Sequence, residues 1–228
     1  IKMAPVIKAF QEDVQGFTTT VISTAQHRQM LDQVLRLFHL TPDIDLDLMR
    51  PNQDLAGLTA RVLETMGQTL KNLQPDLILI QGDTTTVLGA ALAAFYLKIP
   101  VAHVEAGLRS YDPHNPFPEE INRHLTSVLT DIHFAPTALA RENLLREGIA
   151  SEKIVVTGNT VVDALLSLQE IPFDMESLRD SLGMDHQRLL LVTSHRRESW
   201  GHDLEDIWLA IKDLVTKFPD IFVVYPVH

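Results

Sequence analysis

The sequence contains no cysteine. Disulfides and thiolate-held metals are therefore excluded, and a reducing compartment is expected. No apolar run reaches the roughly 18 residues that a membrane-crossing helix needs. Basic residues are few: 19 Lys and Arg face 30 Asp and Glu, for a net charge of -11. That balance argues against a nucleic-acid polymer or an anionic membrane surface as partner, although a small anion needs only a local cluster of cations. Internal repeats and low-complexity tracts are absent too, so neither a solenoid nor a disordered tail is expected. The opening IKMAPVIKAF lacks the layout of a secretory signal. It starts directly on an amphipathic helix, with no strand or cap before it. What is present describes an ordinary globular chain. Its 228 residues are 45% hydrophobic and 21% charged, enough for one large domain or one and a half.

The stretch around which the rest is organised is QGDTTT, residues 81–86. PDLILI precedes it and VLGAALAAFYLKI follows it, which reads as strand, tight turn and helix. Gly82 permits the sharp exit from the strand. Asp83 then falls at the carboxyl end of a buried strand, where open α/β sheets place their ligands. The three threonines supply hydroxyls and a helix start suited to an anion. The plainer alternative is that Asp83 and Thr84 cap the helix.

On either side of this stretch, strand and helix patterns alternate. FTTTVIST (17–24) reads as a strand, 25–38 as an amphipathic helix, 41–49 as extended chain and 52–73 as a long helix. Beyond the centre, IPVAHVEAG is a buried strand and LRSYDPHNPFP a proline-rich loop. Residues 119–130 are a helix with Pro118 at its mouth. A short strand, a helix closed by Gly148, a further strand at 153–160 and a helix complete the series. This alternation predicts a doubly wound parallel sheet of Rossmann type. Residues 171–187 turn polar and short-elemented, a candidate linker. Residues 188–228 carry one further βαβ pattern, which cannot bury both of its faces alone. The expected organisation is therefore a domain over 1–170 lacking its first strand, a linker over 171–187 and the start of a second Rossmann-like domain over 188–228.

Three carboxylates fall in comparable places. Asp83 follows one strand, Glu105 ends the next, and Glu119 opens the helix after the proline loop. Carboxyl ends of neighbouring parallel strands share a crevice, and carboxylates crowded there divide into acid and base. Glu119 has a competing role in complementing the helix dipole, and Glu120 competes with it. Glu105 is harder to explain away, because a carboxylate closing an apolar strand needs a partner. His103 and Glu105 alternate onto one strand face, but no HExxH-type spacing supports a metal. The loop HRRES, 195–199, packs three potential cations and a hydroxyl after a buried strand, which suits a phosphate or diphosphate or a solvated basic turn. Lys2, Arg28, Arg109 and Arg123 add cations near predicted loops and helix starts.

Taken together, IKMAPVI, TAQHRQMLDQVL, QGDTTT, HVEAGLRS, PFPEEINRHLT, TGNTVVDAL and SHRRESWG resemble, in order and spacing, the non-hydrolysing UDP-N-acetylglucosamine 2-epimerases. The resemblance runs from residue 1 to residue 228 and is specific jointly rather than motif by motif. It implies a GT-B-like architecture of two Rossmann-like domains, of which this chain holds the first and the beginning of the second. It implies interconversion of UDP-GlcNAc and UDP-ManNAc by elimination of UDP to 2-acetamidoglucal and re-addition, with no redox cofactor or metal. It assigns acid–base work to Asp83, Glu105 and Glu119, and diphosphate contact to His195, with Arg196 beside it. Lys2 and Arg123 are expected to face the substrate, and Gln26 and His27 to help bind a second, regulatory UDP-GlcNAc. A cytoplasmic homodimer serving polysaccharide synthesis is implied as well. The family's opening strand and its arginine-bearing loop are not in this sequence, nor is most of its second domain. A truncated, non-catalytic nucleotide-sugar-binding fragment and a hydrolysing relative that releases ManNAc and UDP are the alternative readings.

Overall fold

The computed structural model describes residues 1–24, 28–50, 53–193 and 202–226, and the chain divides into two compact units, Ile1–Glu170 and Ile171–His228. In the first unit, helix α1 (Ala4–Glu12) carries Pro5 in its first turn, where the missing N–H costs nothing. Strand β1 (Ile22–Ser23), helix α2 (Arg28–Leu37) and strand β2 (Ile44–Asp45) follow. β1 and β2 pair in parallel with each other, and with no other strand among the described residues. The strand expected over 17–24 is thus reduced to two residues. Phe17, Thr18 and Thr20 are exposed, and β-branching alone does not form a strand that has nothing to pair with.

Helix α3 (Leu55–Leu73) is capped by Asp54, whose carboxylate accepts the Gly57 N–H at 2.6 Å. Its Leu58, Val62, Met66 and Leu70 are buried at the expected helical spacing. After β3 (Ile78–Gln81) comes helix α4 (Thr85–Tyr96), rich in buried alanines. The two helices approach so closely that a Cβ on Gly89 would lie 2.7 Å from Val62 Cγ1. Then follow β4 (Val101–Val104), α5 (Glu119–Leu129), β5 (Ile132–Ala135), α6 (Ala138–Arg146), β6 (Ile154–Val156) and α7 (Thr160–Gln169). β3, β4, β5 and β6 form one sheet in that order, all parallel. All four residues of β4 are buried, as expected for a central parallel strand.

In register across this sheet lie Ile80, His103, His133 and Ile154. Two histidines thus sit side by side where the flanking positions are aliphatic. Both are essentially without solvent contact. Burial, with further contributions from the His103, Lys153 and Arg109 charges, pushes His133 down to about 4, and burial likewise lowers His103. An unfolded chain binds these protons near pH 6.5, whereas folded His133 binds its proton only near pH 4. The unfolded state therefore gains protons first, and stability falls as pH drops through that window, by up to about 3 kcal/mol from His133. Thermal denaturation between pH 6.5 and 5 is expected to show a falling midpoint, and His133→Leu to flatten the slope. An unchanged slope in that variant would place the pH sensitivity elsewhere.

The second unit holds helix α8 (Met175–Leu182), strand β7 (Arg188–Leu191), helix α9 (His202–Lys217) and strand β8 (Ile221–Val224), with β7 and β8 parallel. The stretch 171–187, read as a linker, contains α8. Asp174 caps this helix through the Ser177 N–H at 2.9 Å, and Gly183 ends it in the left-handed region at φ +65°. A local cap and stop delimit this short element within the polar stretch.

Candidate active site

The site forms where β3 and β4 end. Gly82, at φ +85°, turns the chain out of the sheet, and its N–H still reaches the Val104 carbonyl at 3.2 Å. His103 on β4 bonds the Gly82 carbonyl through Nε2 at 2.7 Å, which fastens the turn from the neighbouring strand. Capping of α4 falls to Thr84, whose hydroxyl accepts the Val87 N–H at 3.4 Å. Asp83 is left for another purpose. Its carboxylate receives Arg123 Nη2 at 2.6 Å, and its carbonyl receives Asn122 Nδ2 at 3.0 Å. Both partners come from the first turns of α5.

Glu105 follows directly on β4 with φ +68°. A left-handed backbone costs a side-chain-bearing residue roughly 1–2 kcal/mol, and such strain persists only where the surroundings over-determine it. Here they do. The Gly82 N–H binds Val104 just before Glu105, and the Ala106 N–H binds the Phe134 carbonyl at 3.1 Å just after it. The carboxylate itself is held at both oxygens. Lys2 Nζ pairs with Oε1, and Gln81 Nε2 donates to Oε2 at 2.6 Å. The side chain is only 11% exposed.

Helix α5 separates the two adjacent glutamates. Glu120 is buried and accepts the Tyr111 N–H at 2.8 Å and the Ser110 N–H at 3.1 Å. It also lies 3.2 Å from Arg123 Nη1 and 3.2 Å from His124 Nε2. Burial alone would raise this carboxyl, but the two amides and Arg123 outweigh it and hold the group below the usual carboxylate range. Glu120 therefore anchors the 108–112 loop and Arg123. Glu119 is half-buried, and no hydrogen bond or ion pair engages its carboxylate among the described residues. The sequence left these two glutamates in competition, and their environments divide them: one has many partners, the other none among the described residues.

Of the remaining cations, Arg109 is fully enclosed. It holds Glu147 with two hydrogen bonds of 2.6 Å and Ser127 Oγ with one of 2.9 Å. Arg28 pairs with Asp45, and more loosely with Asp32 and Asp47. Lys2, Asp83, Glu105 and Arg123 are thus brought into two adjacent ion pairs at one sheet edge. His195, Arg196, Gln26 and His27 lie outside the described residues. Sequence reasoning passed over Gln81, Asn122 and the Glu120 hub. The only local sign of the first was a polar residue closing the apolar run LILI.

A parallel sheet with helices between its strands defines a Rossmann-type, GT-B-like domain, and its carboxyl edge here gathers ion-paired carboxylates. The chain belongs to the UDP-N-acetylglucosamine 2-epimerase family, whose model matches residues 8–228. A UDP-N-acetylglucosamine 2-epimerase of Yersinia pestis is 50% identical over 234 residues, a match covering all of this chain and 62% of that protein. The crystal structure of the Neisseria meningitidis UDP-GlcNAc 2-epimerase bound to UDP-GlcNAc superposes with a TM-score of 0.89 at 46% identity, over all of this chain and 62% of that one. The Methanocaldococcus jannaschii enzyme in complex with UDP-GlcNAc and UDP gives a TM-score of 0.83 at 36% identity, again over all of this chain and 62% of that one. The chain thus spans about three fifths of the length of these relatives.

Proposed function

We propose that the protein is a non-hydrolysing UDP-GlcNAc 2-epimerase that interconverts UDP-GlcNAc and UDP-ManNAc, with the acid–base groups on this chain. The hydrogen at C2 of the sugar lies α to no carbonyl, so direct deprotonation is unfavourable. Elimination avoids the difficulty. A carboxylate takes the C2 proton as the C1–O bond to UDP breaks, and the electrons of the C–H bond form the C1=C2 double bond of 2-acetamidoglucal. UDP then re-forms the C1–O bond while a proton is delivered to C2 from the opposite face. Inversion therefore needs acid–base groups that reach both faces of the ring.

The observation that carries this reading is the pair Asp83 and Glu105 at the ends of adjacent strands, each held by its own cation from a different element. Glu119, with an unengaged carboxylate at the mouth of α5, is the third candidate. The ligands named for the Neisseria and Methanocaldococcus enzymes support UDP-GlcNAc and UDP as ligands here. His195 and Arg196 as diphosphate contacts, Gln26 and His27 as regulatory contacts, and a cytoplasmic homodimer serving polysaccharide synthesis rest on the family resemblance. No helix among the described residues is long and apolar enough to cross a membrane.

The test is incubation of the complete protein with UDP-GlcNAc in D2O. Deuterium at C2 of UDP-ManNAc is expected, with UDP and 2-acetamidoglucal as trace products. Free ManNAc in place of UDP-ManNAc would assign the hydrolysing reaction, and epimerisation without deuterium would overturn proton exchange at C2.

A further inference from the structure

Glu105 is held from two sides by unlike donors. On one oxygen is Lys2, a charge on a flexible stem from the turn before α1. On the other is Gln81, a neutral amide at the last position of β3, in register with Val104 on the neighbouring strand. The Lys2 ammonium rotates freely about its stem and is 35% exposed, so it balances charge without setting an angle. The Gln81 amide is planar and springs from a strand whose backbone is bonded into the sheet, so its donor meets Oε2 over a narrower range of directions than an ammonium does. The strained backbone of Glu105 fixes where the side chain starts, and the amide fixes how its carboxylate plane is turned.

We infer that Gln81 is a positioning residue for Glu105, orienting the carboxylate toward the reacting carbon without adding charge to the site. The inference rests on the acid–base role proposed above for Glu105. A neutral donor suits that role, because a second cation on the same carboxylate would weaken it as a base. Gln81 is half-buried and is held in the sheet through its backbone, so replacing its side chain leaves the pairing of β3 and β4 intact.

In Gln81→Met, of similar length but without a donor, kcat for epimerisation by the complete protein is expected to fall about 10- to 100-fold, with KM changed less than about threefold. A donor removed from a carboxylate favours its protonated form, so the acid limb of the rate profile moves to higher pH. Gln81→Glu, which sets a like charge against Glu105, is expected to be worse than Gln81→Met, and Gln81→His, which keeps a donor, better. A second readout needs no activity. With 13C-labelled glutamate side chains, the Glu105 carboxyl resonance is expected to shift in Gln81→Met, because Oε2 loses its amide donor. If the wild-type protein does not epimerise, the proposed function fails, and this resonance alone decides the hydrogen bond. If it does epimerise, an unchanged kcat, pH profile and carboxyl resonance in Gln81→Met would overturn the inference.

Discussion

Glu105→Gln is expected to lower epimerisation by more than about 100-fold while leaving the fold intact, and Asp83→Asn and Glu119→Gln to do the same. An amide keeps the volume of a carboxylate but can neither take nor return a proton at C2. The surroundings of the three residues make the comparison clean. In Asp83→Asn, Arg123 retains Glu120 at 3.2 Å, so no buried cation is stranded. In Glu105→Gln, Lys2 is free to turn toward solvent. Glu119 has no partner to lose among the described residues. Melting temperatures within about 2 °C of wild type are therefore expected for all three, as for substitutions away from the core. Near-normal turnover in two of the three would overturn the acid–base assignment. A variant that releases 2-acetamidoglucal and UDP but forms no epimer would place its residue in the re-addition half of the reaction.

The largest stability effect is expected at Gly107, two residues after Glu105. This glycine has φ +86°, and a Cβ there would lie 2.2 Å from the Ala140 carbonyl oxygen and 3.0 Å from Leu144 Cδ1. Its own carbonyl accepts from Asn143 Nδ2 at 3.0 Å, which ties the strand exit to α6. The contact is with helix backbone, which cannot step aside as a flexible side chain does. Gly107→Ala is thus expected to destabilise by more than about 3 kcal/mol, combining left-handed strain with overpacking, and to lower the melting temperature by roughly 6–12 °C. Gly148→Ala is the internal control. Its φ is +84°, but nothing lies within 4 Å of the added Cβ, so only the strain of about 1–2 kcal/mol is expected. Equal losses in the two variants would mean that α6 moves away from the overlap at little cost.

Much of the first unit was legible in the chain because its signals are local. QGDTTT between an apolar run and an alanine-rich helix announced strand, turn and helix. The helical spacing of Leu55, Leu58, Val62 and Met66 announced α3, although Leu55 is exposed and Leu70 completes the buried face. Parallel order followed, because strands separated by helices can join one sheet only through crossovers. From that order came the placement of Asp83 and Glu105 at adjacent strand ends, as the structure has them. Reading β-branching as strand was less sound over 17–24. Pairing depends on what lies alongside, and that is not written in the run itself.

Which residues face one another across that edge belongs to tertiary structure alone. Lys2 meets Glu105 across 103 positions of chain, Arg123 meets Asp83 across 40, and Arg109 closes on Glu147 across 38. No spacing rule spans such distances, because each pairing depends on where several crossovers return the chain. The division between Glu119 and Glu120 shows the same limit at the shortest range. The two are neighbours with the same side chain at one helix start. About 100° of helical rotation buries one against the 108–112 loop and leaves the other unengaged. The sequence by itself determined the alternation of strand and helix, the parallel sense of the sheet and the kinds of group at its edge, since propensity, period and capping act over a few residues. Only the tertiary structure decided each group's partner, because ion pairs and hydrogen bonds act through space and the fold alone sets those distances.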